Sequence, residues 1–236
     1  MESRELDFSG RHVVVTGGTG ALGIAVVGAL LERGAACHIP SHRSENTDNY
    51  AHRAHDRVTL YPGVELADES QVDDFYGKAG TIWASIHLAG SFAAKRLVES
   101  GKADLMSQID GNLVSCFLCC RAALKAMSGQ GGRIVNVAAR PALEPRTGAG
   151  MTAYTIAKSG VAALTAALAE EVARDGVLVN AVAPSTMDTP ANRKAMPKAD
   201  HALWPKVEEV AATILFLASP QNAVTRGAVV TVYGRS

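Results

Sequence analysis

Residues 13–23, Val-Val-Val-Thr-Gly-Gly-Thr-Gly-Ala-Leu-Gly, constrain this chain more than any other stretch. Three consecutive valines read as a short buried strand. Glycines at 17, 18, 20 and 23 mark a turn after it, and residues 21–32 then have a helical composition. Strand, glycine turn and helix is a geometry that receives a nucleotide pyrophosphate. Glycines let the backbone approach the phosphates, and the helix N-terminus offers unpaired N–H groups. A glycine pattern alone is weak evidence, and its weight here comes from the strand before it and the helix after it. The expected cofactor contacts are Gly17, Thr19, Gly20, Leu22 and Gly23; the alternative is a tight turn with no ligand.

Strand and helix signals alternate along the rest of the chain. Residues 35–40, 58–61, 82–88, 133–138, 177–182 and 228–232 read as further strands. Asp68 is placed to cap a helix running to about Tyr76. Residues 93–127 read as a long helical region interrupted near Gly101 and Gly111, and residues 151–174 and 207–218 as helices. Residues 139–150 read as a Pro- and Gly-bearing loop. Residues 184–205 carry four prolines and read as irregular, with about 185–205 as a substrate-side lid. This alternation implies an α/β fold, a doubly wound parallel sheet with helices on both faces. No repeat or composition shift divides residues 1–236, so a single domain is expected.

Composition excludes several partner classes. Lys+Arg and Asp+Glu balance at 23 each, so charge gives no case for nucleic acid or an acidic membrane surface. No run of about 18 apolar residues predicts a membrane span. The charged start, Met1-Glu2-Ser3-Arg4-Glu5, lacks an apolar signal region. Cys37, Cys116, Cys119 and Cys120 read as buried reduced thiols of a cytoplasmic protein. No cysteine or histidine partners stand at finger-like spacing, so no metal site is expected. His52 and His55, three apart in a polar stretch at 45–57, read as solvated rather than ligating.

About 20 residues beyond the glycine turn is the place for a ribose-reading side chain. An acid there would bind a 2′-hydroxyl and repel a 2′-phosphate. Ser41, His42 and Arg43 stand there instead, with no acid before Glu45. Arg43 can pair with a phosphate. NADP(H) is therefore favoured, with NAD(H) the alternative if Arg43 is a solvated loop charge. The adenine is expected near Glu65 and Leu66, and Ala89 and Gly90 open the turn over which a cofactor would lie. Asn112, flanked by Leu113, Val114 and Cys116, must find hydrogen-bond partners if buried.

Tyr154 and Lys158 lie four apart on a predicted helix, hence on one face. Moving a phenol from its usual pKa of about 10 to near 7 requires ~4 kcal/mol. An ammonium about 4 Å away at an effective dielectric of 20 supplies ~4 kcal/mol. The pair is thus sufficient in principle to make a working proton donor.

These features together resemble the short-chain dehydrogenase/reductase family over essentially the whole chain. The residues that carry the resemblance are 16–23, Ala89-Gly90, Asn112, 133–137, 154–158, 179–184 and Phe216-Leu217-Ala218-Ser219. The resemblance implies a Rossmann-type seven-stranded sheet and hydride transfer between NAD(P) and a carbonyl or alcohol. It implies that Tyr154 is the general acid/base, that Lys158 lowers its pKa and binds the nicotinamide ribose, and that Asn112 holds a relay water. Pro184, Met187 and Thr189 would flank the nicotinamide, and a homodimer or homotetramer is implied.

Three departures from the family pattern stand out. His87-Leu88-Ala89-Gly90 replaces the usual Asn-Asn-Ala-Gly. Ala21 stands where the standard glycine turn has Gly, although Gly17, Gly20 and Gly23 satisfy the pattern of the extended branch. Ala139 occupies the position of the catalytic serine that binds the substrate oxygen. Losing one such donor costs about 10²–10³ in rate. Dihydropteridine reductase also lacks that serine, and Gly148-Ala149-Gly150-Met151 is similar to its approach to the tyrosine. A conjugated or imine-like acceptor, needing less oxyanion stabilisation than a ketone, is therefore expected, unless Arg140, Thr147 or Thr152 replaces the missing donor. The other reading of Ala139 is a cofactor-binding protein without turnover, a regulator or structural subunit.

Overall fold

The computed structural model describes residues 6–42, 47–127 and 129–236. The three valines belong to β1 (His12–Thr16), fully buried from Val13 to Val15. Helix α1 (Ala21–Glu32) follows, then β2 (Ala36–Ser41), β3 (Val58–Pro62), α2 (Glu69–Ala79) and β4 (Ala84–His87). The Asp68 carboxylate caps α2 as expected, accepting from the Ser70 and Gln71 N–H groups. Beyond β4 lie α3 (Lys102–Gln108), α4 (Ser115–Ala126), β5 (Gly132–Val137) and the short α5 (Arg140–Leu143). The long α6 (Thr152–Glu171), β6 (Val177–Pro184), α7 (Pro190–Ala195), α8 (Val207–Ala218) and β7 (Val229–Val232) complete the chain.

The seven strands form one sheet in the order β3-β2-β1-β4-β5-β6-β7, and every pairing is parallel. The strand order reverses between β1 and β4, and a doubly wound sheet opens a crevice at such a point beyond the carboxyl ends of its strands. Helices α1 and α8 pack together on one face, closing a core that contains Val26, Leu30, Ile86, Val210 and Ile214. On the other face α2, α4 and α6 enclose Val14, Phe75, Ile134, Leu118 and Val161. Strands covered on both faces explain why they read as continuous apolar runs rather than alternating ones.

The amino ends of the central strands are tied by a polar clasp. Trp83, just before β4, has the Arg11 guanidinium 3.9 Å from its ring centroid and the Arg133 guanidinium 4.9 Å from it. Its indole N–H donates to the Ala218 carbonyl at 2.9 Å.

Three sequence expectations change. Residues 93–127 are not one interrupted helix: a 3-10 turn at Leu97–Glu99 precedes α3, and Gly101 lies at the start of α3, its N–H donating to Asp104 Oδ2 at 2.8 Å. Gly111 does not break the chain but lies in a π-helical turn, Ile109–Val114, that joins α3 to α4. Residues 139–150 are more ordered than a loop, holding α5 and a 3-10 turn at Pro145–Gly148, with prolines opening each where their missing N–H costs nothing. Residues 185–205 likewise contain α7, capped by Thr189 Oγ1 and begun by Pro190, and a 3-10 turn at His201–Leu203.

Candidate active site

The glycine turn closes on itself: Gly20 N–H donates to Gly17 O at 3.1 Å. Gly17 needs its left-handed φ of 65°, and a Cβ there would lie 2.7 Å from the backbone nitrogen of Ala89. Gly23 is packing-limited too, since a Cβ on it would fall 2.2 Å from Gly17 O. Helix α1 begins after Gly20 with no side-chain cap and no acid in its first turn. A turn stripped of side chains in front of an uncapped helix N-terminus is a cradle for anionic phosphates.

This turn forms one wall of a cleft of about 640 Å³ at the carboxyl edge of the sheet. Of the expected cofactor contacts, Gly17, Thr19, Gly20, His42, Leu66, Ala89 and Gly90 line it. Leu22 and Gly23 are buried beneath the turn instead. Ser41 is buried at the end of β2, and its Oγ has no hydrogen-bond partner. Arg43 lies outside the described residues. His42 Nε2 meets Glu65 Oε2 at 3.1 Å, and Glu65 also lines the cleft. Sequence reasoning overlooked Ser91, Gly111 and Ser115 in the wall. Small residues beside the known turn were the available signal.

Gly90 joins the cleft to the polar side chains behind it. A Cβ on Gly90 would lie 2.6 Å from Asn112 Oδ1 and 3.4 Å from Lys158 Nζ. Asn112 projects from the π-helical turn and is 1% exposed. Its Nδ2 donates to Ser91 O and Gln108 O, both at 3.0 Å, while its Oδ1 is buried without a partner. Lys158, on α6, donates to the Val137 carbonyl at 2.8 Å. Tyr154 lies one turn earlier, its ring centroid 6.0 Å from Lys158 Nζ and in edge contact with Phe92 at 5.0 Å. Phe92 is 63% exposed, an aromatic beside Tyr154 that spacing did not single out. Pro184 ends β6, Met187 packs on the core, and Thr189 caps α7; none of the three lines the cleft.

The electrostatics differ from what spacing alone implies. Burial pushes the Tyr154 phenol up to about 12, and burial pushes the Lys158 ammonium down to about 8. Lys158 reaches back to the Val137 carbonyl rather than towards the ring, which weakens its attraction for a phenolate. Desolvation wins over that attraction, so the phenol is neutral at pH 7 while the lysine is still mostly protonated. Such a pair is set to donate a proton, not to accept one. Of the groups considered as substitutes for the missing serine, Arg140 is held by Glu144 Oε2 at 2.8 Å and Thr147 donates to Glu144 O at 2.8 Å.

The shifted lysine has a consequence for stability. Its folded pKa lies below the ordinary 10.5, so between about pH 8 and 10.5 the unfolded chain holds more protons at this position. Its contribution to stability therefore rises with pH across that window, by up to ~3 kcal/mol. The urea midpoint of the wild type minus that of Lys158→Met is expected to increase over this range. A difference that stays flat with pH would show that the lysine is solvated.

The cleft fits a dinucleotide on two features of its own, a side-chain-free turn and an uncapped helix N-terminus. The short chain dehydrogenase family model matches residues 11–200. The chain is 35% identical to cis-4-hydroxycyclohexanecarboxylate dehydrogenase of Sinomonas cyclohexanicum, covering 96% of each protein. It is 29% identical to a 3-oxoacyl-(acyl-carrier-protein) reductase of Chlamydia muridarum, covering 95% of this chain and 96% of that one. A short-chain dehydrogenase/reductase from Serratia marcescens superposes with a TM-score of 0.87 at 26% identity, over 97% of this chain and 98% of that one. With the family model spanning most of its length, a Rossmann-like parallel sheet and a glycine turn at its switch point, this chain belongs to the short-chain dehydrogenase/reductase family of oxidoreductases.

Proposed function

We propose that this protein is an NADP(H)-dependent reductase of a small carbonyl or a conjugated, imine-like acceptor. The observation that carries the reading is the meeting at Gly90, where the nucleotide-sized cleft touches Asn112 Oδ1 and Lys158 Nζ one turn from Tyr154. The turn at Gly17, Thr19 and Gly20 would hold the pyrophosphate, Leu66 the adenine edge, and Ala89 and Gly90 the ring-side half. When bound, the cofactor supplies hydride. Tyr154 gives its phenolic proton to the substrate heteroatom that gains negative charge. Lys158 stabilises the resulting phenolate, and Asn112 Oδ1 anchors a water through which a proton returns. Residues 185–205 close over the substrate side, Met187 and Thr189 near the carboxamide. Homo-oligomeric assembly and a cytoplasmic setting belong to the same proposal. Among the described residues no helix is long and apolar enough to cross a membrane.

Two observations favour alternatives. The Glu65 carboxylate beside His42 opposes a 2′-phosphate and favours NAD(H). Ala139, buried at the start of α5, offers no hydroxyl to a substrate oxygen and favours cofactor binding without turnover. Calorimetric titration with NADPH and NADH separately decides the cofactor, and turnover in a screen of carbonyl and conjugated acceptors decides between catalysis and binding alone. Tighter NADPH binding, weakened at least tenfold by Arg43→Ala, is expected. Tighter NADH binding moves the assignment to NAD(H). Binding of neither removes the enzymatic reading.

A further inference from the structure

Between β4, β5 and α4 lies a buried polar cluster that the proposed reaction does not use. Register pairs His87 of β4 directly with Asn136 of β5. Cys116 and Cys120, one turn apart on α4, face that pair. All four side chains are buried, with exposures of 4% for His87, 0% for Asn136, 6% for Cys116 and 2% for Cys120.

The distances describe a small polyhedron. Asn136 Oδ1 lies 2.8 Å from His87 Nδ1, 3.3 Å from Cys116 Sγ and 3.5 Å from Cys120 Sγ. Cys120 Sγ lies 3.6 Å from His87 Nδ1, and the ligand atoms of His87, Cys116 and Cys120 fall within 4.8 Å of one another. In a tetrahedral zinc site with Zn–S of about 2.3 Å and Zn–N of about 2.0 Å, neighbouring ligand atoms are roughly 3.5–3.8 Å apart. The two Cys120 separations match those edges, while the 2.8 Å between His87 Nδ1 and Asn136 Oδ1 is a hydrogen-bond distance that would lengthen as an ion enters. His87 Nδ1 and the Cys116 and Cys120 thiols converge on the one amide oxygen, a convergence of donor atoms that a bound cation would share.

The surroundings orient the candidate ligands. Thr165 Oγ1 donates to Val161 O at 2.8 Å and so accepts from Asn136 Nδ2 at 2.9 Å, which turns Asn136 Oδ1 towards the thiols. On the far side of the imidazole, His87 Nε2 lies 2.8 Å from Ser85 Oγ, which is bonded to Tyr76 OH at 2.7 Å. A proton on Nε2 leaves Nδ1 free as a ligand, the usual arrangement of a metal-bound histidine with an outer-shell acceptor.

We propose that His87 Nδ1, Cys116 Sγ, Cys120 Sγ and Asn136 Oδ1 form a buried tetrahedral site for a zinc(II) ion. Binding releases both thiol protons to solvent, and two thiolates cancel the charge of the ion, which a fully buried site requires. Spacing along the chain could not reveal this set. Only the two cysteines are close in sequence, and sheet register supplies the other two ligands. No atom of the proposed set belongs to the cofactor cleft or to the Tyr154 and Lys158 pair, so the proposal stands or falls independently of the catalytic reading.

The test is titration of the fully reduced full-length protein with zinc sulfate against a colorimetric chelator. An equimolar amount of zinc is expected to bind. Free zinc at a hundredfold excess over Kd should then raise Tm by roughly 5–10 °C. Cys116→Ser and Cys120→Ser should each weaken binding at least tenfold, and Ser85→Ala by about 10–100-fold through the imidazole it orients. Cys37→Ser and Cys119→Ser, which remove buried thiols outside the set, should leave binding unchanged. Cobalt(II) loading of the wild type gives a readout that needs no variant: thiolate-to-cobalt charge-transfer bands with intense visible bands of a tetrahedral site. Absence of equimolar zinc, absence of those bands, or zinc binding that survives the Cys116→Ser/Cys120→Ser double variant overturns the proposal.

Discussion

Tyr154→Phe is expected to lower kcat by about 10²–10⁴, the range a positioned general acid supplies. The substitution removes one oxygen and leaves the ring in its edge contact with Phe92. Cofactor affinity should change little, because the cleft wall is built from the glycine turn, Leu66 and residues 88–91. The loss should therefore appear in turnover with KM nearly constant, as for a group that acts only in the transition state. Steady-state kinetics on any substrate found by screening, paired with a cofactor titration of the variant, makes the comparison. Turnover within tenfold of wild type would show that another group protonates the substrate. An equal fall in cofactor affinity would assign Tyr154 to binding rather than proton transfer.

Gly23→Ala is expected to have the largest effect on the folded state. Its Cβ would lie 2.2 Å from Gly17 O and 2.6 Å from Gly18 C, and both obstacles are backbone, so no rotamer change relieves the clash. Overpacking of this kind costs about 1–3 kcal/mol, and more where the obstacle is rigid. A chain of this size loses roughly 2–4 °C of Tm per kcal/mol. Because the displaced atoms form the glycine turn itself, dinucleotide affinity should fall at least tenfold with stability. Gly77→Ala is the matched control. It lies exposed in α2 with nothing within 4 Å of a built Cβ, and gaining a helix-favouring side chain should stabilise by ~0.5–1 kcal/mol. Thermal denaturation and calorimetry on the two variants give the contrast. Equal effects at both sites would mean that the turn can move to accommodate a side chain.

The sheet was readable because its strands are buried on both faces and bounded by glycines, as with Val13 to Val15 and Gly17. Four-residue spacing placed Tyr154 and Lys158 on one helical face. Propensity did not reveal the π-helical turn that carries Asn112, since one extra residue per turn leaves no compositional mark on Ile109–Val114. Nor did it reveal the direction of the pKa shifts. Charge proximity could be gauged from spacing, but the burial that dominates Tyr154 comes from packing between elements distant in sequence. The same reason hid the pairing of His42 with Glu65. The loops with prolines, 139–150 and 185–205, were read as irregular because proline opens a short helix as readily as it ends one.

The clasp around Trp83 determines which optical signals the protein can give. Two guanidinium groups and the Ala218 carbonyl hold that indole at the amino ends of the strands, at the opposite edge of the sheet from the cleft. Its emission reports whether α8 and the sheet remain docked, and it is blind to events at the other edge. Trp204, tilted against His201 at 4.6 Å between ring centroids in the 185–205 segment, is the chromophore that would face the proposed substrate side. The two tryptophans thus divide the fluorescence of this protein between them, one a gauge of global unfolding and the other a gauge of local rearrangement.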